Sequence, residues 1–488
     1  MEIDMSILWI LAIPMIGSAL ILFGARRLSL NVSGTVALLI SAATFALAVK
    51  NIFSGLTPTR ISLPWISDPG IKLSFYFDPL TAILLLVITS ITTLAILYSI
   101  GYFKKSGSFN APAFYSLTLL FLSGMIGVVI SSDLILFYLF WELMLLPSYA
   151  FVAYFGEDKA RSSAIAIKYF IFTHIGAVLI LAAILILFSA TGSTDIMQIR
   201  TTVTKLDPML LKTVTAMFII GFAVKMAIFP LHSWLPETYS NAPIPATILL
   251  SSVMINAPIY GFLRFFFTLL PRQSIMPFML FMLTFALISQ FYGAILAMSE
   301  RNIKKIIAYS SVSQMGYMLF GIASFNALGE RGAVFHIINH GIIKALLFMG
   351  VGAVIFATGK LSVENLGGLA AKLPFTALVS TVGALAIAGV PLFCAFQSEW
   401  LIFAGGLSGK YPVLAAIAVA GATFTAAYAL LFLSRVFFGE TKQAAVKNIP
   451  FSMGIPMGLL ALATLIIGIC PWFFSKLVEN AVKMLGVF

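Results

Sequence analysis

The sequence predicts an all-α polytopic membrane protein, and three observations predict it. The chain is 61% hydrophobic and only 9% charged, whereas soluble domains run roughly 45–50% apolar and about 25% charged. Apolar runs of roughly 20 residues recur from end to end; about fourteen are expected, each long enough to cross about 30 Å of hydrocarbon as a helix. Two of the runs break midway, at Pro230 with Pro236 and again at Gly389-Val390-Pro391. Backbone opened at membrane depth is tolerated only against protein or a water-filled cavity.

The charge pattern agrees with this class. The net charge is +12, and Lys and Arg collect at Arg26-Arg27, Lys104-Lys105, Arg301 with Lys304-Lys305, Lys360 with Lys372, and Arg435 with Lys442 and Lys447. These positions fall in alternate inter-span loops, a membrane topology rather than a nucleic-acid footprint. Basic loops face the cytoplasm, which places both termini on the outer side of a cell membrane. The start, Met1-Glu2-Ile3-Asp4, lacks the basic opening of a secretory leader, so the first apolar run is expected to be a retained span. Cys394 and Cys470 stand apart, with no paired-cysteine, haem-attachment or cluster spacing, and no cofactor is expected.

Taken in order, span one is expected over 6–23 and span two over 33–51. Residues 54–77, with Pro64-Trp65 and Gly70, read as a short hairpin or loop on the outer surface. Asp78-Pro79, an N-cap followed by a first-turn proline, opens span three, which ends near Lys104. Span four covers 113–130, and Ser131-Ser132-Asp133 caps span five, which runs to Tyr154. Span six begins near Ser163 with Lys168 and His174 inside, and a polar connection over 191–212 leads to span seven. Spans eight to eleven follow at 244–270, 275–298, 303–324 and 332–358. Span twelve starts near Pro374 and resumes after its break at Ala395; spans thirteen and fourteen lie at 411–438 and 454–474. Breaks five spans apart suggest an internal repeat, spans four to eight against nine to thirteen. A unit with an odd number of spans must be inverted in the membrane when used twice, a plan that puts sites at the repeat interface. The expected units are 1–110, 111–270, 271–440 and 441–488.

Ionisable residues sit inside these runs. Glu142 and Lys225 both fall near the bilayer middle, and neither is stable there as a lone charge. An ion pair between them makes a switch: with Glu142 close, Lys225 holds its proton, and with Glu142 displaced it releases it. The alternative is a fixed structural clamp. His336, His340 and Lys344 recur at i, i+4, i+8 on one face of span eleven. Two histidines at that spacing can ligate zinc, but no third ligand or HExxH pattern accompanies them, and no metal is expected. A hydrated proton-conducting stripe fits better than core packing, since imidazole titrates at about 6.5. Glu399 lies just beyond the second break. Lys304 is expected to be interfacial, its ammonium snorkelling to water. His232, between Pro230 and Trp234, is expected to satisfy carbonyls freed by the prolines.

Joined segments carry a resemblance. Phe140-Trp141-Glu142-Leu143-Met144-Leu145-Leu146-Pro147, the run from Phe229 to Pro236, Ala242-Pro243, the run from Ala308 to Tyr317 and the run from His336 to Phe348 resemble the antiporter-like subunits of respiratory complex I. The same family includes the large subunits of Mrp-type cation/proton antiporters and membrane-arm subunits of membrane-bound hydrogenases and sulfane reductases. The distal glutamate, in Phe396-Gln397-Ser398-Glu399-Trp400-Leu401, is similar to the hydrogenase-type and chain-M (chain 4) members. The resemblance implies fourteen helices with inverted five-helix repeats, a Glu142–Lys225 pair on an input half-channel, and a central hydrophilic axis through span eleven to Glu399. It also marks one departure: the family's lysine of span eight falls on Asn256, which cannot carry a proton. The relay is then broken, rerouted through His336, His340 or Lys344, or adapted to sodium.

The function expected is translocation of protons or sodium ions by a subunit of a multi-subunit respiratory complex, with no bond chemistry of its own. Its partners are other membrane-arm subunits, further antiporter-like ones among them, the lipid bilayer, and peripheral redox subunits indirectly. Two alternatives stand beside it: a structural membrane-arm subunit whose relay is lost at Asn256, and a subunit of an Mrp-type cation/proton antiporter.

Overall fold

A computed structural model describes residues 6–25, 28–66, 70–105, 110–443 and 445–486. The acidic residues Glu2 and Asp4 and the pair Arg26-Arg27 lie outside the described residues. Thirteen helices among those described are long and apolar enough to cross a membrane. The two halves of span twelve, Pro374–Ile387 and Cys394–Leu407, complete a fourteenth. The expected spans stand within a few residues of their predicted ends; the widest differences are at span eleven, Ala327–Thr358, which begins five residues earlier than expected, and span fourteen, Phe451–Ile469, which ends five residues earlier.

Local chemistry sets the helix starts. The Asp78 side chain accepts from the Thr81 amide to open span three, Pro79–Tyr102. Asp133 accepts from Ile135 and Leu136 to open span five, Leu134–Ala153. Each carboxylate satisfies an N–H that the first turn leaves free. Residues 54–77 contain a hairpin, β1 (Thr59–Ile66) antiparallel to β2 (Ile71–Phe77).

Loops gather at two faces. On one face, Phe75 bridges to Ser131 and Asp133 to Asp195, joining the hairpin to the loops after spans four and six. On the other, Asn302 bridges to Ser362, and the Lys447 amide donates to the Ala357 carbonyl. This second face carries the lysine-rich loops. Span eleven is the hub between them: it touches spans three, eight and ten, both halves of twelve, and fourteen.

Three elements differ from expectation. The connection over 191–212 holds a short amphipathic helix, Ile196–Val203, capped by Asp195. Span fourteen stops at Ile469; after Pro471 a separate amphipathic helix, Trp472–Gly486, packs on spans three and eleven. Span eight is irregular: α-helical over Ile244–Ser252, 3₁₀ over Met254–Asn256, α-helical over Ala257–Arg264 and π-helical over Phe265–Leu269.

The two broken spans end in the same way. Span seven begins as Pro208–Lys225, where the Ala227 amide bonds the Val224 carbonyl and the Ile228 amide bonds that of Ala223. Span twelve repeats this pattern, Gly389 to Ala386 and Val390 to Leu385. Both are Schellman caps, closed by a left-handed residue: Ala227 at φ 56° and Gly389 at φ 67°. The prolines are therefore not the breaks. Pro230 and Pro391 lie past helices that ended at Lys225 and Ile387, and Pro236 sits in the first turn of the second half of span seven, Leu235–Asn241.

Candidate ion-translocation site

Lys225 is the last helical residue of the first half of span seven and is 1% exposed. Its Nζ has no hydrogen-bond partner among the described residues and lies 5.9 Å from the Trp141 ring and 5.6 Å from the Tyr169 ring. A helix C-terminus and two aromatic faces are all favourable surroundings for a cation.

The expected Glu142–Lys225 pair is not in contact. No ion pair joins them among the described residues; Glu142 Oε2 instead lies 3.5 Å from His174 Nδ1 on span six, Ser162–Thr191. The rotation of span five explains this. Glu142 shares its face with Leu139 and Leu146, both exposed, while Trp141 turns inward and is buried. The Glu142 and His174 side chains are 25% and 42% exposed, on the outside of the chain at membrane depth.

His232 also departs from expectation. Its carbonyl accepts from the Leu235 amide, but its Nδ1 has no partner, and its ring packs on Phe229 and Tyr292. The residue that satisfies a carbonyl of the broken helix is Trp234, whose indole donates to the Val224 carbonyl at 3.0 Å.

Lys304 is fully buried rather than snorkelling. Its ammonium donates to the Ala242 carbonyl at 2.7 Å and pairs with Glu157 at 3.1 Å. Span ten, Ile303–Ala323, presents this lysine to the loops that follow spans five and seven. Sequence reasoning missed Glu157 as its partner, and also the pair Lys168–Glu237 at 3.0 Å, which ties span six to the second half of span seven. The signal for the second pair was present: Lys168 inside an apolar run and Glu237 directly after Pro236.

Span eleven carries its three groups as expected, in different surroundings. His336 lies 2.9 Å from Ser398 Oγ and 2.7 Å from Gln314 Oε1, bridging spans twelve and ten. His340, one turn on, has no partner at either nitrogen. Lys344 donates to the Ile307 carbonyl at 3.0 Å and to the Ser310 hydroxyl. Asn339 donates to the Cys394 carbonyl at 2.8 Å and to Ser398 at 2.9 Å, fastening span eleven to the far side of the second break.

Glu399 is 4% exposed and packs against the cap itself. A Cβ on Gly389 would stand 2.3 Å from its Oε2. Asn256 serves its own helix and the next: its side-chain amide donates to the Ser252 carbonyl at 2.9 Å, which the 3₁₀ segment leaves without its usual α-helical donor, and to the Ile337 carbonyl of span eleven at 3.5 Å. Its Oδ1 has no partner among the described residues, and the residue lines a cavity of about 10 Å³. Among the described residues no cluster of three or more His, Cys, Asp or Glu is arranged to hold a metal ion.

Comparison with known proteins places this architecture. Residues 131–425 match the family described as "NADH:quinone oxidoreductase/Mrp antiporter, TM", and residues 65–111 match "NADH-Ubiquinone oxidoreductase (complex I), chain 5 N-terminus". The chain belongs to this antiporter-like family. It is 32% identical to NADH-quinone oxidoreductase subunit M of Escherichia coli K12 over 91% of this chain and 89% of that one. A chain of respiratory complex I from Thermus thermophilus shares the fold with a TM-score of 0.89 over 99% of both chains, at 24% identity. A chain of the membrane-bound sulfane sulfur reductase, an archaeal respiratory membrane complex, aligns with a TM-score of 0.87 and 29% identity over 96% of this chain and 77% of that one. The protein is an antiporter-like, multi-pass membrane subunit of the kind found in respiratory complexes.

Proposed function

We propose that this chain moves protons, or sodium ions, across the membrane through buried Glu, Lys and His side chains. Redox chemistry in partner subunits of the same complex drives the movement. The observation that carries the reading is Lys225: a buried ammonium at a helix break with no hydrogen-bond partner among the described residues. Such a group is costly unless it exchanges its proton or meets a mobile counter-charge. His340, with neither ring nitrogen partnered, and the Oε1 atom of Glu399 repeat the condition beside the second break. Groups of this type are satisfied by water or by a transferred ion.

In this reading Glu142 acts on Lys225 through space while turned toward His174, and a shift of Glu142 between the two switches Lys225. Lys168–Glu237 and His232 line the approach from the lysine-rich face, which is the cytoplasmic one, with both termini outside a cell membrane. His336, His340 and Lys344 carry the path past Asn256 to Glu399. Spans four to eight and nine to thirteen form the two inverted repeats, residues 111–270 and 271–440, between the units 1–110 and 441–488. The matched caps support this, as does the packing of span four on five and eight beside that of nine on ten and thirteen.

The test is Lys225→Ala and Glu142→Gln in the intact complex, read as ions moved per electron. Both variants should lose most translocation while electron transfer persists; unchanged stoichiometry in both would sink the reading. A structural role for span eight is favoured at one point, since Asn256 mends a helix irregularity and carries no charge.

A further inference from the structure

A groove runs between the start of the first half of span twelve and the start of span fourteen, Phe451–Ile469. It holds about 630 Å³, and one end is apolar, formed by Phe375, Gly454, Ile455, Gly458, Leu459 and Leu462, with the large side chains among them exposed on the surface. The nearest neighbours of a Cβ on Gly454 or Gly458 are Phe375 ring atoms at 3.6 Å. A methyl group would fit there, whereas a larger side chain would fill the trench. From Gly454 to Leu462 the trench is about 12 Å long at the helical rise.

The other end of the groove is polar and positive. Two helix N-termini converge on it, at Pro374 and Phe451, and neither has a side-chain cap. Free amides and the positive end of the helix dipole favour an anion there. A second observation points the same way. Thr376 lines the groove, is 1% exposed, and its hydroxyl has no partner among the described residues. Lys372 lines the same end and ties the two entering segments together through the Gln443 carbonyl; Lys442 does so through that of Glu364. The nearby Glu364 is paired with Arg301.

We propose that this groove binds one anionic phospholipid, its phosphate at the paired helix starts with Thr376 and Lys372, one acyl chain laid along Gly454 and Gly458. A free phosphate would leave the trench unused, and an apolar helix would leave the cationic end without an anion. Only an amphiphile with an anionic head matches both ends.

The test uses the intact complex in nanodiscs of phosphatidylglycerol or of phosphatidylcholine, delipidated and then analysed for retained lipid by mass spectrometry. The wild-type complex should keep one more phosphatidylglycerol per copy of this chain than Gly458→Leu, and should not keep phosphatidylcholine in its place. Lys372→Gln, at the surface, should weaken retention by about five-fold, the effect of one cation near an anionic headgroup. Thr376→Val should weaken it as well. Unfolding temperatures in phosphatidylcholine, equal across the variants, would assign the loss to the site rather than to the fold. Equal retention by wild type, Gly458→Leu and Lys372→Gln would overturn the proposal. So would displacement by inorganic phosphate, or a density map with a partner subunit's helix in the trench.

Discussion

Two buried cations in this chain have opposite surroundings. Arg264 is bidentate to Asp78 at 2.7 and 2.8 Å, donates to Thr81 and Tyr260, and lies between the Tyr76 and Tyr260 rings. Lys225 also stands beside two rings, those of Trp141 and Tyr169, but has no hydrogen bond and no bonded counter-ion among the described residues. Arg264→Leu strands a buried carboxylate and should cost about 3–5 kcal/mol, measured by unfolding of the purified complex. Lys225→Met removes a buried charge without a bonded partner; it should leave the unfolding midpoint unchanged or higher while abolishing ion movement. Asp78, at the mouth of span three, supplies a pH test. Burial alone would raise its carboxyl, but the Arg264 guanidinium and the Arg264 and Thr81 hydrogen bonds outweigh that and hold it below its ordinary value. Its contribution is complete above the ordinary carboxylate range and is lost as pH falls through the lowered value. Asp78→Asn should therefore flatten the acid limb of stability against pH.

At the scale of elements, the caps of spans seven and twelve set where the site residues stand. Gly389→Ala forces a Cβ into a left-handed conformation, costing about 1–2 kcal/mol, and also drives it into the Glu399 carboxylate. The expected outcome is a lower unfolding temperature together with impaired translocation; an active, equally stable variant would remove Gly389 from its role in seating Glu399. Asn256→Leu should cost about 1–3 kcal/mol by leaving the Ser252 carbonyl unsatisfied, read by the same unfolding assay. The spans and their starts were legible because hydropathy and caps such as Asp78 and Asp133 are local signals. The breaks were legible in position but not in cause. Proline chemistry is visible in sequence, whereas a left-handed Ala227 is dictated by tertiary packing. The Glu142–Lys225 contact fails for a similar reason: depth follows from residue count, but which way a helix turns depends on its neighbours. The pairs Lys304–Glu157 and Arg264–Asp78 join residues far apart in the chain, and nothing local marks them.

For the molecule as a whole, Lys304 fastens span ten to the loops after spans five and seven, so a buried charge crosses the middle of the chain. Lys304→Met should break that link and, by leaving Glu157 without its partner, loosen one half against the other; limited proteolysis at the loops near Glu157 and Ala242 would register it. On the outer surface, the half-exposed Glu142 and His174 stand among Leu139, Leu146, Ile171 and Ile175, all exposed. An ionisable pair facing hydrocarbon is unfavourable; a neighbouring subunit seated there would relieve it.

That outward pair has a consequence for the life of the chain before assembly. While span five is still unaccompanied, it must enter the bilayer carrying a carboxylate on its lipid side, at a cost of about 2.5–3.5 kcal/mol on insertion scales. Span six brings Lys168 and His174 with it, so the two helices are best inserted as a hairpin that shields its own charges. An orphan copy keeps displaying the pair to lipid, a mark that membrane quality-control proteases can read. Pulse–chase in cells lacking the neighbouring subunits should find wild-type chain turning over faster than a Glu142→Leu, His174→Leu variant, with equal lifetimes arguing against any such mark.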